Sequence, residues 1–280
     1  MTGRPLYLFS VDVEDPRTGV SGGESLPPRV PEMVELYLQF LDKSSAKGTF
    51  FVVGEVARRH PEVIGRIAAL GHELGCHSDT HIPLDRLGQT RFREDLRRNL
   101  DSLHSAGAGR ILGYRAPCFS ATAETGWMYE ALSGLGFAYS SSVLPARNPQ
   151  YGRPGFGAAP RMIEGVLELP VTLLPYRWLP VPFGGLYFRV LPRPLLRHAF
   201  ASRMRGSEPV AGYHHPYDAD TEQNFTHAGF RRWGPFDLLM RANRRDVLPR
   251  LEMVRRLGFA FGPYGDYAAG LRETWGKRAG

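Results

Sequence analysis

Two histidines four residues apart, His77 and His81, are the residues of this sequence best suited to chemistry. They close the stretch 71–81, GHELGCHSDTH. One turn of helix, or a strand running into a helical turn, would bring an i, i+4 pair onto one face. Neutral imidazole is a common zinc ligand, and catalytic zinc usually takes three protein ligands and leaves a position for water. The spacing therefore predicts half of a metal site, with two surface or capping histidines as the alternative.

Carboxylates near the N-terminus could complete that site. Segment 5–13, PLYLFSVDV, is short, aromatic and β-branched, which predicts a buried strand. It delivers Asp12, Glu14 and Asp15 at its carboxyl end. Because side chains alternate across a strand, Asp12 and Glu14 should share one face. Two carboxylates on one face of a strand end are costly unless something uses them, and metal binding or proton transfer would.

The elements that position these residues alternate along the chain. Further strands are predicted over 48–54, 72–77, 110–114, 136–143, 166–174, 208–213 and 259–264. Helices are predicted over 31–44, 55–70 with an interruption at Pro61, 91–105, 124–135, 192–205 and 235–257. This order indicates a parallel sheet with crossover helices, whose chemistry collects at the carboxyl ends of the strands. Asp12, Glu14, His77 and His81 all follow that rule.

Length and composition indicate one globular domain over residues 1–280, since 280 residues are ordinary for an α/β barrel. The net charge of +7 is carried almost wholly by arginine, which would suit a phosphate-bearing substrate or an anionic membrane face. No dense Lys/Arg run and no zinc-finger or RNP pattern occurs, so a nucleic-acid partner is not expected.

The two cysteines, Cys76 and Cys118, form no disulfide framework and favour a cytoplasmic protein. They are expected to be packing residues and not nucleophiles. No stretch approaches the ~20 apolar residues of a spanning helix. We therefore expect at most peripheral contact with a membrane.

Four ordered motifs resemble the polysaccharide deacetylase family, the NodB-homology domains of carbohydrate esterase family four. They are SVDVED at 10–15, HSDTH at 77–81, RAP at 115–117 and HP at 215–216. The segments TFFVVG and GHELGCH are also very like the family. The versions of these motifs present here most resemble the branch found with bacterial surface and exopolysaccharide synthesis.

The resemblance implies a distorted (β/α) barrel of about seven strands and metal-dependent hydrolysis of an N-acetyl group on an amino sugar. It implies that Asp12 is the catalytic base, steadied by Arg115, and that His77 and His81 are metal ligands. It implies that His215 is the general acid. His214 is the alternative acid, but His215 precedes a proline as in the family.

Two departures from the family pattern change these expectations. Val13 stands where the family has the second of two tandem aspartates, so Glu14 is expected to be the third metal ligand. Asp15 would replace it if the backbone bulges. The residues before the late histidines, 211–213, replace a leucine-containing motif, which leaves the pocket for the acetyl methyl group open to question.

Several alternatives remain open from the sequence. The metal is expected to be zinc, although cobalt, nickel or iron also suits two histidines and a carboxylate. The sugar could be polymeric, nucleotide-linked or lipid-linked. The other functional hypotheses are a deformylase or other amidohydrolase on the same scaffold, and a non-catalytic glycan-binding relic.

Side chains outside the motifs also have two interpretations each. Glu168 could support His215 or form a structural ion pair. The aromatic residues in 176–188 could stack on sugar rings or pack a loop. The arginines of helix 192–205 could be a solvated face or contact phosphate or membrane; they are Arg193, Arg197, Arg203 and Arg205.

Overall fold

Short parallel strands form the centre of the protein. The computed structural model describes residues 4–19, 23–206, 208–222 and 235–279. Its strands are β1 Leu6–Leu8, β2 Ser10–Val13, β3 Thr49–Val52, β4 Glu73–Cys76, β5 Gly113–Tyr114, β6 Tyr139–Ser140, β7 Arg161–Ile163, β8 Val166–Glu168, β9 Val210–Ala211 and β10 Ala260–Gly262. Predicted segment 5–13 is thus two strands, separated by Phe9.

Helices surround these strands. They are α1 Val30–Lys43, α2 Gly54–Arg59, α3 Pro61–Ala69, α4 Leu84–Leu87, α5 Gln89–Ser105, α6 Met128–Gly134, α7 Gly185–Val190, α8 Arg193–Arg203, α9 Pro235–Arg241, α10 Val247–Arg256 and α11 Tyr264–Ala279. Pro61 begins α3, since the first helical position needs no amide hydrogen. Among the described residues, no helix combines the length and apolarity needed to cross a membrane.

The strands make two connected sheets that curve into a barrel. One sheet has the order β2-β3-β4-β5-β6-β8-β7, and the other has the order β10-β1-β9. Every pairing between these strands is parallel except that of β7 with β8. The ring closes where the Thr172 N–H donates to the carbonyl of Ala211 at 3.0 Å, and the Ala211 N–H donates to Thr172 Oγ1 at 2.8 Å. The predicted distorted (β/α) barrel is confirmed.

Buried strands and the ring of Phe51 pack beneath Arg115. All residues of β2 and β3 are buried, as expected of parallel strands covered on both faces. Gly75 in β4 leaves room for the ring of Phe51, because a Cβ on Gly75 would lie 2.5 Å from that ring. The ring of Phe51 in turn lies under the guanidinium of Arg115, with 4.2 Å between its centroid and the guanidinium carbon.

The C-terminal region differs from the prediction. The helix predicted over 235–257 breaks after Arg241, because Asn243 adopts the left-handed conformation with φ of 57°. Helix α11 was not predicted, since Gly265, Gly270 and Gly276 lower its helix propensity. The edge strand β7 lies between the predicted strands 136–143 and 166–174, where no strand was predicted.

Candidate metal centre and active site

The loop that carries His77 and His81 is irregular. It follows β4, and Ser78 and His81 have positive φ values of 68° and 58°. The predicted helical turn is therefore wrong, although the two rings still meet with centroids 5.0 Å apart. Non-glycine residues seldom adopt such values unless surrounding contacts impose them.

Side chains of α5 supply those contacts. The Asp95 carboxylate accepts the N–H of Asp79 at 3.1 Å and the hydroxyl of Ser78 at 3.2 Å. Asn99 Nδ2 donates to the carbonyl of Ser78 at 2.6 Å and to that of Val52 at 2.8 Å. The loop therefore takes its shape from a helix that lies later in the chain.

Glu14 is the carboxylate that joins the two histidines. One ligand atom from each of Glu14, His77 and His81 lies within 4.8 Å of the others. The Glu14 Oε2 atom is in close contact with Nε2 of His81. Asp15 instead forms an ion pair with Arg17 at 2.6 Å. The structure therefore brings Glu14, and not Asp15, to the histidines.

The tautomer of His77 suits a ligand. Its Nδ1–H donates to the carbonyl of Arg115 at 2.8 Å, which leaves Nε2 with a lone pair for a metal. Burial lowers the pKa of His77 to about 4, so the ring is neutral at pH 7. An imidazole fixed by its second nitrogen in this way is typical of metal-binding histidines.

These residues fit a divalent metal ion. Two imidazoles and one carboxylate are the three-ligand set of several catalytic zinc sites, which leave one position open. Glu14 and His77 are buried, whereas the side chain of His81 is 28% exposed, so one side of the cluster opens to solvent.

Asp12 and Arg115 form a buried ion pair beside the cluster. The Arg115 Nη1 donates to Asp12 Oδ1 at 2.6 Å and to the hydroxyl of Ser10 at 2.6 Å. Its Nε donates to the carbonyl of Ser141 at 3.0 Å. Such charge-assisted hydrogen bonds, shared among several partners, hold a carboxylate in one orientation.

His215 faces the cluster from the segment that follows β9 and lies beside β2. Its Nε2 lies 3.9 Å from Glu14 Oε1. Its Nδ1–H and its backbone N–H both donate to Asp218 Oδ2, at 2.9 and 2.8 Å. Asp218 is itself held by the Nε of Arg189 at 2.7 Å. Burial opposes the charge of His215, but the carboxylate of Asp218 raises its pKa to about 9.

His214 points away from the site. It is fully buried, its ring stacks on Phe9 at 5.2 Å, and its Nε2 lies 3.0 Å from the hydroxyl of Tyr7. Burial lowers its pKa to about 4. The alternative in which His214 serves as the acid does not fit this position.

Glu168 does not support His215. Its Oε1 accepts the N–H groups of Ser142 and Val143 at 2.8 and 2.9 Å, and Tyr129 donates to its Oε2 at 3.1 Å. Glu168 therefore fixes the backbone next to Ser141, the residue that binds Arg115. Neither the contact with His215 nor a structural ion pair is found among the described residues, because Ser142, Val143 and Tyr129 occupy this carboxylate.

Sequence reasoning missed Asp95, Asn99, Arg189 and Tyr217 as residues of the site. The ring of Tyr217 stacks on that of His215 at 4.6 Å, and its hydroxyl bonds to Glu14. A signal was present for two of them. Asp95 and Asn99 are polar residues on the buried face of an amphipathic helix, where an unpartnered polar group would be costly.

Replacing Asn99 by alanine should destabilise the protein. The change removes two buried hydrogen bonds to the carbonyls of Val52 and Ser78, so we expect the free energy of unfolding to fall by about 2 kcal/mol. Urea unfolding measures this loss. Gln39→Ala on the exposed face of α1 is the control and should change stability by less than about 0.5 kcal/mol. Equal stability of the two variants would contradict the role assigned to Asn99.

Comparison with known proteins identifies two matching family profiles. Residues 24–139 match the profile "Polysaccharide deacetylase", and residues 141–262 match "Domain of unknown function (DUF3473)". Strand β6 lies at the junction and pairs with β5 on one side and with β8 on the other. The assignment of one domain to residues 1–280 stays a prediction.

Named relatives cover parts of the chain. A peptidoglycan-N-acetylglucosamine deacetylase of Bacillus cereus is 32% identical over 88 residues, which are 31% of this chain and 30% of the relative. A chitooligosaccharide deacetylase of Sinorhizobium fredii is 30% identical over 143 residues, 50% of this chain and 60% of the relative. The chain thus spans about a third to three fifths of the length of these relatives.

A solved structure extends the likeness of fold to nearly the whole chain. A candidate polysaccharide deacetylase from Mycobacterium smegmatis superimposes with a TM-score of 0.63 at 19% identity. The match covers 98% of this chain and 95% of that chain. At this identity the likeness concerns the fold alone.

Proposed function

We propose that this chain, whose residues 24–139 match the polysaccharide deacetylase profile, is a deacetylase that hydrolyses the N-acetyl group of an amino sugar in a glycan or glycan precursor. One observation carries this proposal. The Asp12–Arg115 pair, the cluster of Glu14, His77 and His81, and the ring of His215 lie together at the carboxyl ends of the strands.

Glu14, His77 and His81 would hold a divalent metal ion. When bound, such an ion polarises a carbonyl group and lowers the pKa of its bound water to ~7. We propose zinc, because two imidazoles and a carboxylate suit it; cobalt, nickel and iron suit the same donors.

Asp12 is positioned to accept a proton from the attacking water. Arg115 holds one carboxylate oxygen and prevents the side chain from turning away. A base with a fixed orientation next to the reacting water contributes roughly 10²–10⁴-fold to the rate.

His215 is positioned to donate a proton to the leaving amine. With a pKa of about 9 its ring is protonated at pH 7, and its Nε2 faces the cluster while Nδ1–H is held by Asp218. Arg189 keeps Asp218 in place from the other side. The leaving nitrogen would otherwise depart as an unstable anion, so this proton is required for the C–N bond to break.

The alkaline limit of activity should depend on Asp218. The raised pKa of His215 keeps the acid protonated below about pH 9, and kcat/KM should fall as pH rises through that value. Asp218→Asn removes the charge that raises the pKa, so we expect the alkaline limb to move to lower pH by at least one unit. Asp101→Asn, on the exposed face of α5, should leave the profile unchanged. An unshifted limb in Asp218→Asn would contradict the assignment of His215.

The proposed reaction is tested by measuring bound metal and acetate release from N-acetylglucosamine oligomers. Acetate release that requires the metal supports it. Formate release from N-formylated sugars, with no acetate release from the N-acetylated ones, would select the deformylase. Sugar binding with neither metal nor release would select the glycan-binding relic. Polymeric, nucleotide-linked and lipid-linked N-acetyl sugars, compared in the same assay, identify the carrier.

A further inference from the structure

Helices α8 and α10 form a groove that the deacetylation mechanism does not use. Its volume is about 850 Å³, within the ~300–1,000 Å³ typical of ligand pockets. Arg193 and Arg197 line it from α8, and Arg256 and Glu252 line it from α10. We call it the α8–α10 groove. Three arginines against one glutamate give it a positive charge.

A short series of aromatic rings leads from this groove into solvent. His198, which lines the groove, stacks on Tyr176 with centroids 6.0 Å apart, and Tyr176 packs against Trp178 at 5.7 Å. A hydrogen bond of 2.7 Å between the hydroxyl of Tyr176 and Nδ1 of His198 fixes the first pair. Trp178 is 72% exposed, the most exposed large apolar side chain of the described residues.

Two of the arginines beside these rings are available to a ligand. Arg193 pairs with Asp246 at 2.7 Å, and Arg256 pairs with Glu252. Arg177 and Arg197 are exposed, and within the described parts of the chain neither has a hydrogen bond or an ion pair. A guanidinium binds a carboxylate through two parallel hydrogen bonds, so this surface is complementary to carboxylates.

We propose that the α8–α10 groove, together with Tyr176 and Trp178, binds a stretch of an acidic polysaccharide that carries uronic acid residues. Sugar rings would stack on the exposed indole, because an aromatic face offers a large rigid apolar surface, while Arg197 and Arg177 bind the carboxylates. A groove suits an extended chain better than a flat membrane surface. This inference rests on the proposed function, and it gives the substrate an acidic character.

Binding of oligogalacturonate to the 280-residue chain tests this inference. We expect the wild-type protein to bind oligogalacturonate at least tenfold more tightly than the fully methyl-esterified oligomer, which has no charge. Trp178→Ala and Arg197→Gln should each raise the dissociation constant about tenfold, whereas Trp178→Phe should retain most of the affinity. Arg97→Gln, which removes an exposed arginine of α5, is the charge-matched control and should bind like the wild type.

Separate measurements distinguish this inference from the proposed function. Acetate release from short neutral N-acetylglucosamine oligomers should be the same in Trp178→Ala, Arg197→Gln and the wild type. Binding of oligogalacturonate without any acetate release would overturn the proposed function but support the α8–α10 groove as a binding site for acidic glycans. Equal affinity for the charged and esterified oligomers would overturn the groove. A third outcome would favour a membrane contact and overturn the groove: the wild type binds phosphatidylglycerol vesicles but not oligogalacturonate, and Trp178→Ala no longer binds the vesicles.

Discussion

Asp12→Asn is expected to lower kcat for acetate release by roughly 10²–10⁴-fold, the contribution of a positioned general base. Asparagine keeps the size of the side chain and can still contact Arg115, but it cannot accept the proton of the attacking water. Steady-state kinetics at fixed metal concentration measure the loss. We expect KM and the bound metal to change little, because the ligands proposed for the metal are Glu14, His77 and His81.

Ser10→Ala is the matched control for this change. Ser10 accepts a hydrogen bond from the same Arg115 nitrogen that binds Asp12, so its loss perturbs the pair without removing the base. We expect the activity of Ser10→Ala to fall far less than that of Asp12→Asn. Activity in Asp12→Asn equal to the wild type would refute the role of Asp12, and so would a loss of activity explained by loss of metal.

His81→Ala should remove most of the bound metal and abolish measurable acetate release. It takes away one of three proposed ligands, so metal affinity should fall by more than the ~10–100-fold caused by changing an outer partner of a ligand. His81 is the most exposed of the three ligands, and its loss should damage the fold least. Elemental analysis after dialysis, followed by an activity assay, measures both effects.

His104→Ala, an exposed histidine at the end of α5, should keep the metal content and activity of the wild type. Treating the wild type with a chelator should abolish activity, and adding zinc should restore it. A chelated protein that keeps full activity, or a His81→Ala variant with undiminished metal, would contradict the proposed centre.

The sequence predicts which residues come together at the site, but it predicts their individual contacts less well. Strand alternation puts Asp12 and Glu14 on one face, and both do reach the site. Yet β2 ends at Val13, so Asp12 turns to Arg115 while Glu14 reaches His81. Alternation also separates the two late histidines, because adjacent residues on an extended segment point to opposite sides.

The loop of His77 and His81 could not be predicted from local spacing. Its positive φ values depend on Asp95 and Asn99, which reach it from a helix later in the chain. The same holds for Glu168, whose partners Tyr129, Ser142 and Val143 lie on earlier segments of the chain. Contacts between distant segments decide these details, whereas periodicity reports only on neighbours along the chain.

Of two adjacent histidines, His214 packs in the core and His215 faces the candidate site. His214 packs against Phe9 and Tyr7, and the next residue, His215, faces the proposed metal ligands. A change in the packing of those aromatic rings is therefore expected to displace His215, the proposed proton donor. A substitution that changes the size of the side chain at position 7 or 9 would need a compensating change in a neighbouring residue to preserve activity. The side chains at these two interior positions are therefore constrained by catalysis as well as by packing.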